Sequence, residues 1–128
     1  MENGLSLLRD NGYRLVTLTN SPLPLVEAQL RNAGIAEYFE RSLSAGQIRM
    51  FKPAPAVYRM AADELGEDPG TLWLVAAHNW DTTGALAAGL KAAFIARPGM
   101  VTGALDRVPN VRGRDLAEVA EGIVAADQ

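Results

Sequence analysis

The hydrophobic residues of this chain fall into short runs with two alternating spacings. Three continuous apolar runs, "RLVTLT" (14–19), "LWLVAA" (72–77) and "KAAFIA" (91–96), are bounded by turn residues. Such runs are typical of buried strands. A weaker run, "RSLSA" (41–45), has the same character. Between the runs, apolar residues recur three and four positions apart, which is the spacing of one helix face. The pattern predicts strands that alternate with helices.

The helical segments begin and end at ordinary capping residues, with glycine at several of the ends. The predicted helices lie at 3–10, 22–33, 57–65, 82–88 and from Asp115 onward. Asp81 or Thr82 is the predicted N-cap of the fourth helix, and Asp115 caps the last. Residues 46–55 and 97–110 are predicted loops.

Alternating strands and helices predict βαβ units and therefore an α/β fold with a doubly wound parallel sheet. The 128 residues suffice for one domain with a core, and no repeat or linker divides residues 1–128. Ligands of such folds bind at the carboxyl ends of the strands. Polar residues stand at three of these ends, in "TLTNS", "FKP" and "HNWD".

Composition and charge exclude several classes of protein. The chain is 48% hydrophobic and 21% charged, as folded domains are. Its net charge is −3 and it has no basic block, so no nucleic acid partner is predicted. No apolar run approaches the roughly 18 residues of a membrane span, and no signal peptide is recognised, so a cytoplasmic location is predicted. The absence of cysteine and the single histidine argue against disulfides and zinc sites.

The first two strand ends carry candidate ligands for an anion. Thr19 and Asn20 offer a hydroxyl, an amide and backbone N–H groups, although ordinary turn chemistry explains them as well. Lys52, in a loop stiffened by proline, can present a fixed charge to a carboxylate or phosphate. The alternative interpretation is that Lys52 is an ordinary solvated lysine of the loop. The hydroxyl of Tyr58 can reach the same region, or the ring can simply pack half-buried on the sheet.

The third strand ends in the only histidine of the chain, followed closely by Trp80 and Asp81. Asp81 is the only acid that directly follows a strongly apolar strand, which favours a role in acid–base chemistry. The alternative is that it caps the next helix. Trp80 either lines an apolar pocket or packs in the core. His78 either takes part in the site or only caps the next helix.

The stretches "RLVTLTNSP", "FKPAPAVYRMAADELG" and "LVAAHNWDTTGALAAGLKAAFIARPG" closely resemble one family. These are the metal-independent (type II) L-2-haloacid dehalogenases of the haloacid dehalogenase superfamily, and the resemblance covers residues 3–125. It implies a Rossmann-like core and hydrolytic dehalogenation of small 2-haloalkanoic acids without a cofactor or metal. In that reaction an aspartate attacks the halogen-bearing carbon, and water hydrolyses the ester to a 2-hydroxy acid of inverted configuration.

The resemblance also assigns roles to individual residues. It implies that the residues serving the nucleophile, its charge or the water are Lys52, Asp81, Thr19 and His78. It implies that the residues in contact with substrate are Asn20, Tyr58 and Trp80. His78 stands where the family has a water-binding asparagine, and an imidazole can orient or deprotonate water too. Ala76 stands where many members have serine, which removes one hydroxyl from the water site.

The nucleophile of the family is not found. It belongs to a "DxxGT"-like segment after an apolar strand, and no such segment occurs. None of the acids of the first forty residues follows a predicted strand: Glu2, Asp10, Glu27, Glu37 and Glu40. The helical cap segment is not found either. The chain is therefore expected to be the C-terminal portion of the core, a single partial domain that is inactive alone.

In the family the missing strand lies between the strands at 14–19 and 72–76. Three outcomes are expected: these two strands pair directly, a second copy completes the sheet as a homodimer, or an N-terminal segment does. A non-catalytic module that binds small carboxylates is the alternative function. A Mg²⁺-dependent phosphatase is less favoured, because only Asp81 supplies an acid where such enzymes usually have two.

Overall fold

A computed structural model of the protein describes residues 2–96 and 107–128. Along these residues the helices and strands follow in the order α1 (Glu2–Asp10), β1 (Val16–Thr19), α2 (Leu23–Asn32), β2 (Arg41–Ser44), α3 (Pro55–Leu65), β3 (Trp73–Ala76), α4 (Asn79–Ala87), β4 (Lys91–Ile95), β5 (Val111–Gly113) and α5 (Leu116–Ala126). Short 3-10 helices lie at Ala36–Tyr38, Ala45–Ile48 and Pro69–Thr71. Within this part of the chain, no helix is both long and apolar enough to cross a membrane.

The α/β prediction is confirmed, and every pair of neighbouring strands is parallel. The helix after β3 begins earlier than predicted, at Asn79, so the predicted N-cap at Asp81 or Thr82 is wrong. Asp115 does cap α5, since its side chain accepts a hydrogen bond from the backbone N–H of Glu118. Of the predicted loop at 97–110, residues 97–106 lie outside the described residues.

Strand β5 was not predicted. It is three residues long, its middle residue Arg112 is exposed, and it ends in Gly113. A segment this short has too few apolar side chains to show a strand pattern.

The strands form two hydrogen-bonded groups rather than one sheet. One group pairs β1 with β2, with Thr19 opposite Ser44, and the other has the order β3–β4–β5, with Ala76 opposite Phe94. In the described part of the chain, β1 and β3 are not hydrogen-bonded to each other. Direct pairing of these strands, one of the three expected outcomes, is therefore not what the structure has. Completion by a second copy or by an N-terminal segment stays a prediction.

Two hydrophobic clusters nevertheless each contain residues from β3 and from β1 or the residue before it. One cluster combines α1 and α5 residues with Trp73 and Val75, and the other combines α3 and α4 residues with Leu74. Leu15, the residue before β1, belongs to the first cluster, and Leu18 of β1 belongs to the second. The alternation of side chains along both segments shows that the helices cover both faces. All residues of β1 and β3 are nonetheless partly exposed, whereas the central residues of β4 are buried.

Candidate functional site

A lysine, an aspartate and a tyrosine meet beyond the carboxyl ends of the strands. The ammonium of Lys52 donates a hydrogen bond of 2.7 Å to Oδ2 of Asp81. The hydroxyl of Tyr58 donates one of 2.6 Å to Oδ1 of the same carboxylate. We call these three residues the triad. It is shielded from solvent: 12% of the Lys52 side chain and 6% of that of Asp81 are exposed, and Tyr58 is fully buried.

Each member of the triad comes from a different element. Lys52 lies in the loop before α3, Tyr58 lies in the first turns of α3, and Asp81 lies in the first turn of α4. The first turn of a helix has unpaired N–H groups and a positive dipole end, which favour a carboxylate there. The carboxylate of Asp81 is bonded to Lys52 and Tyr58, and the N-cap position of α4 belongs to His78, so Asp81 does not cap this helix.

The phenol of Tyr58 is held in its protonated form. Burial is the largest cause that raises its pKa, followed by the hydrogen bond to Asp81 and the negative charge of that residue. Tyr58 therefore remains a hydrogen-bond donor at neutral pH. A buried carboxylate is tolerated only when a cation or several donors compensate it, and here Lys52 and Tyr58 do so together.

The loop that carries Lys52 is held by Asn20. Oδ1 of Asn20 accepts the backbone N–H of Lys52 at 2.7 Å. The neighbouring Thr19 accepts the backbone N–H of Ser21 at 3.0 Å through Oγ1, which is the turn chemistry that the sequence left open. Asn20 thus positions the lysine through its backbone, a contact that the sequence analysis did not foresee.

Trp80 and His78 form the exposed side of the site. Trp80 is 42% exposed, and the Lys52 ammonium lies 5.8 Å from the centroid of its indole ring. The His78 imidazole lies 5.6 Å from the Trp80 ring, tilted by 30°. His78 is the N-cap residue of α4, but its side chain makes no capping hydrogen bond. Trp80 therefore does not pack in the core.

The structure brings most of the seven predicted site residues together. Lys52, Tyr58 and Asp81 are in direct contact, Trp80 lies beside Lys52, and Asn20 is bonded to the Lys52 backbone. His78 joins this group only through Trp80, and Thr19 bonds to its own turn. The solvated lysine and the half-buried tyrosine, both left open by the sequence, are excluded.

A serine that the sequence did not single out supports the site. The buried Ser44, at the end of β2, donates to the carbonyl of Ser21 at 2.8 Å, which ties β2 to the turn after β1. Its backbone N–H bonds to Oε1 of Gln47, and its side chain accepts from the N–H of Gly46. This is a capping box, and the "SAGQ" sequence at 44–47 was the signal for it.

The described residues do not by themselves supply a cluster of metal ligands. Among the described residues, no three histidines, aspartates or glutamates lie close enough to share an ion. Both carboxylate oxygens of Asp81 are already bonded to the other two members of the triad. The site instead offers a cation and a phenol around one carboxylate, an arrangement that can bind an anion or stabilise negative charge in a reaction.

Comparison with known proteins finds relatives of this chain in one family of hydrolases. A sequence model of the family described as haloacid dehalogenase-like hydrolase matches residues 1–89. The (S)-2-haloacid dehalogenase of Pseudomonas sp. (strain YL) is 29% identical over 119 residues, which are 93% of this chain and 51% of that protein. A solved L-2-haloacid dehalogenase superposes with a TM-score of 0.88 at 30% identity, over 94% of this chain and 53% of the other.

A phosphatase also matches. The phosphoglycolate phosphatase of Cupriavidus necator is 34% identical over 95 residues, 74% of this chain and 41% of that protein. This chain spans about half of the length of the haloacid dehalogenases that it matches.

Proposed function

The chain belongs to the haloacid dehalogenase-like hydrolase family, and on that premise we propose that it supplies one half of an active site that hydrolyses small 2-haloalkanoic acids. The observation that carries this proposal is the buried triad, in which Lys52 and Tyr58 converge on Asp81. This arrangement suits a reaction between two negatively charged partners, because a carboxylate nucleophile must approach a carboxylate substrate. A fixed ammonium reduces their mutual repulsion.

The proposed reaction has two steps. A carboxylate nucleophile displaces halide from carbon 2, forming an ester bond and breaking the carbon–halogen bond. Water then attacks the ester, releasing a 2-hydroxy acid, regenerating the carboxylate and giving up one proton. Lys52 holds the substrate carboxylate and the nucleophile, while Asp81 and Tyr58 keep the ammonium in place. Asp81 also assists the water, with Thr19 and Asn20 near the nucleophile and substrate.

We assign the exposed residues to the pocket and the water. Trp80 offers an apolar surface beside the Lys52 ammonium, which suits the alkyl part of a small haloacid. His78 lies at the rim and is assigned to orient or deprotonate the hydrolytic water. Its exposed position beside Trp80 leaves it accessible from solvent.

We propose that the nucleophile comes from outside the described residues. Both carboxylate oxygens of Asp81 are already bonded to Lys52 and Tyr58. The other described aspartates lie on helices, at helix caps or near the last residue, and none follows a strand end of the site. A strand that enters between β1 and β3 would bond to both and end beside the triad. An N-terminal segment or a second copy of this chain is the proposed source, and a cytoplasmic location is proposed with it.

The test is reconstitution. The chain is mixed with the separately expressed part of the Pseudomonas relative that it does not match, and chloride release from 2-chloropropionate is followed. We expect release only from the mixture, and none when this chain carries Lys52→Ala. A pull-down shows whether the two parts associate. Chloride release at a similar rate by the chain alone would overturn the proposal.

The same mixture is used to distinguish dehalogenase activity from phosphatase activity. Phosphoglycolate with Mg²⁺ is the matched substrate, and phosphate release without chloride release would favour that activity instead. Calorimetry of the chain alone with 2-hydroxypropionate completes the test. Binding that Lys52→Ala abolishes, together with an associated but inactive mixture, would favour a non-catalytic carboxylate-binding module.

A further inference from the structure

Helix α4 touches the Lys52 loop at a glycine. Gly84 lies one helical turn after Asp81, on the same face of α4. A Cβ atom at this position would lie 2.7 Å from Cβ of Pro53 and 3.0 Å from its carbonyl oxygen. It would also lie 2.9 Å from the hydroxyl of Tyr58. Two of these three atoms belong to the residue next to Lys52, and the third belongs to the triad itself.

We propose that Gly84 is a positioning residue, whose missing side chain sets the spacing between Asp81 and its two partners. The Lys52 loop is fixed by Asn20 on one side, through the 2.7 Å bond to the Lys52 N–H. On the other side it rests against the bare backbone of α4. A methyl group at position 84 must push the loop or the Tyr58 hydroxyl outward, because Cβ atoms in proteins essentially never lie within 3.0 Å of such a heavy atom.

This crowding would disturb the short hydrogen bonds that Lys52 and Tyr58 donate to Asp81. Displacing Pro53 moves Lys52 away from Asp81, and displacing the phenol breaks the 2.6 Å bond that Tyr58 donates to it. Neither partner can follow by a simple rotation, because Tyr58 is fully buried and proline fixes the loop backbone. The functional meaning of this spacing rests on the proposed role of the triad, but the spacing itself is measurable without any turnover.

The chain offers an internal reference for that measurement. It contains two lysines, Lys52 in the triad and Lys91 in an ion pair with Asp127. Competitive acetylation with limiting acetic anhydride, read by mass spectrometry, gives the reactivity of Lys52 relative to Lys91. An ammonium held by Asp81 and largely shielded from solvent reacts slowly, and one released from that pair reacts faster. Global loosening raises both reactivities, whereas a local change raises only that of Lys52.

The experiment compares Gly84→Ala with Gly122→Ala. Gly122 lies on α5, where a Cβ would come 2.6 Å from Cγ1 of Val111, so its crowding is comparable but remote from the triad. We expect Gly84→Ala to raise Lys52 acetylation several-fold with Lys91 unchanged, and Gly122→Ala to leave the ratio at the wild-type value. An unchanged ratio in folded Gly84→Ala, or an equal rise in both variants, would overturn the inference.

A variant that fails to fold is also informative. If Gly84→Ala does not fold, it is introduced into a folded variant that carries Pro53→Gly and Tyr58→Phe, which lacks the two atoms nearest to the added Cβ. Recovery of folded protein supports the inference, because it places the crowding at the contact of α4 with Pro53 and Tyr58. Continued failure to fold overturns it. Chloride release is not used as the readout, so failure of the proposed function and failure of this inference remain distinguishable.

Discussion

The ammonium of Lys52 and the carboxylate of Asp81 lie 2.7 Å apart although 29 positions of sequence separate them. The pair is buried, in contrast to the largely exposed ion pairs that Arg14 and Arg41 make elsewhere on the molecule. Exposed pairs stabilise a fold little, whereas removing one partner of a buried pair leaves an uncompensated charge.

Lys52→Met should lower the free energy of unfolding by about 3–5 kcal/mol, because it leaves the buried Asp81 carboxylate without its compensating positive charge. Urea titration measures the loss. Lys91→Met is the matched control, since Lys91 pairs with Asp127 at 2.9 Å with 31% of each side chain exposed. It should cost about 1 kcal/mol or less. Equal losses in the two variants would contradict the burial argument.

Asn20→Ala should loosen the Lys52 loop by removing the acceptor of the Lys52 backbone N–H. We expect faster amide hydrogen exchange at Lys52, by about fivefold if the bond contributes about 1 kcal/mol. Asn20→Asp retains the acceptor oxygen and is the control. Slow exchange in both variants would show that the loop does not depend on this bond.

Asp127 should make the fold sensitive to acid. Hydrogen bonds from Tyr13 first, and then from Lys91, lower the pKa of Asp127 below its ordinary value of 3.8. A lowered folded-state pKa gives stability that is present above pH 3.8 and is lost as the pH falls through the folded-state value. Asp127→Asn should therefore be less stable than wild type at pH 7, by about 1 kcal/mol because the residue is exposed to solvent, and the difference should shrink on acidification.

Urea titrations between pH 2 and pH 7 test the acid prediction (pH steps on the order of one unit resolve a single carboxyl group). Asp10→Asn is the control, because Asp10 is 70% exposed and lies 3.7 Å from Arg9 in an exposed pair. Its stability should stay close to that of wild type at neutral pH. A constant difference between Asp127→Asn and wild type across the whole range would contradict the linkage.

The buried tyrosine should make the fold sensitive to alkali. Burial, then Asp81, raises the pKa of Tyr58 above its ordinary value of 10.0. A raised folded-state pKa gives stability that is complete below pH 10.0 and is lost as the pH rises toward the folded-state value. Tyr58→Phe should be less stable at neutral pH, by about 1–2 kcal/mol, but should lose less stability above pH 10.0.

Tyr13 contributes in the same direction. Burial first, and then the bond to Asp127, raises its pKa to about 12. The double variant Tyr13→Phe with Tyr58→Phe should therefore show the flattest decline of stability between pH 10.0 and about 12. Urea titration at several alkaline pH values measures the slopes. Identical slopes for wild type and the double variant would show that neither phenol is linked to folding.

The variant His78→Ala tests whether His78 acts on the hydrolytic water. In the reconstituted mixture, its effect should fall on ester hydrolysis rather than on ester formation, so the covalent intermediate should accumulate. Intact-protein mass spectrometry detects it as added mass on the nucleophile-bearing part. His78→Asn, the residue type of the related family position, should restore turnover. Loss of chloride release in the first turnover would instead place His78 in the displacement step.

Local sequence patterns determined the order of the elements and the positions of the candidate site residues. Apolar runs and their spacing depend on near neighbours, so the strands, the helices and the polar residues at the strand ends could be identified without coordinates. Strand β5 could not be predicted because its three residues carry no pattern. The start of α4 was predicted wrongly because Asp81 is a good N-cap by residue type.

Tertiary packing alone decided how those residues are used. Asp81 turns to Lys52 and Tyr58, Asn20 bonds a backbone group 32 positions away, and Gly84 admits the loop against α4. The separation of β1 from β3 also appears only in the structure. Each of these depends on how elements distant in sequence fit together, and close packing, unlike helix or strand propensity, is not encoded in any short stretch of residues.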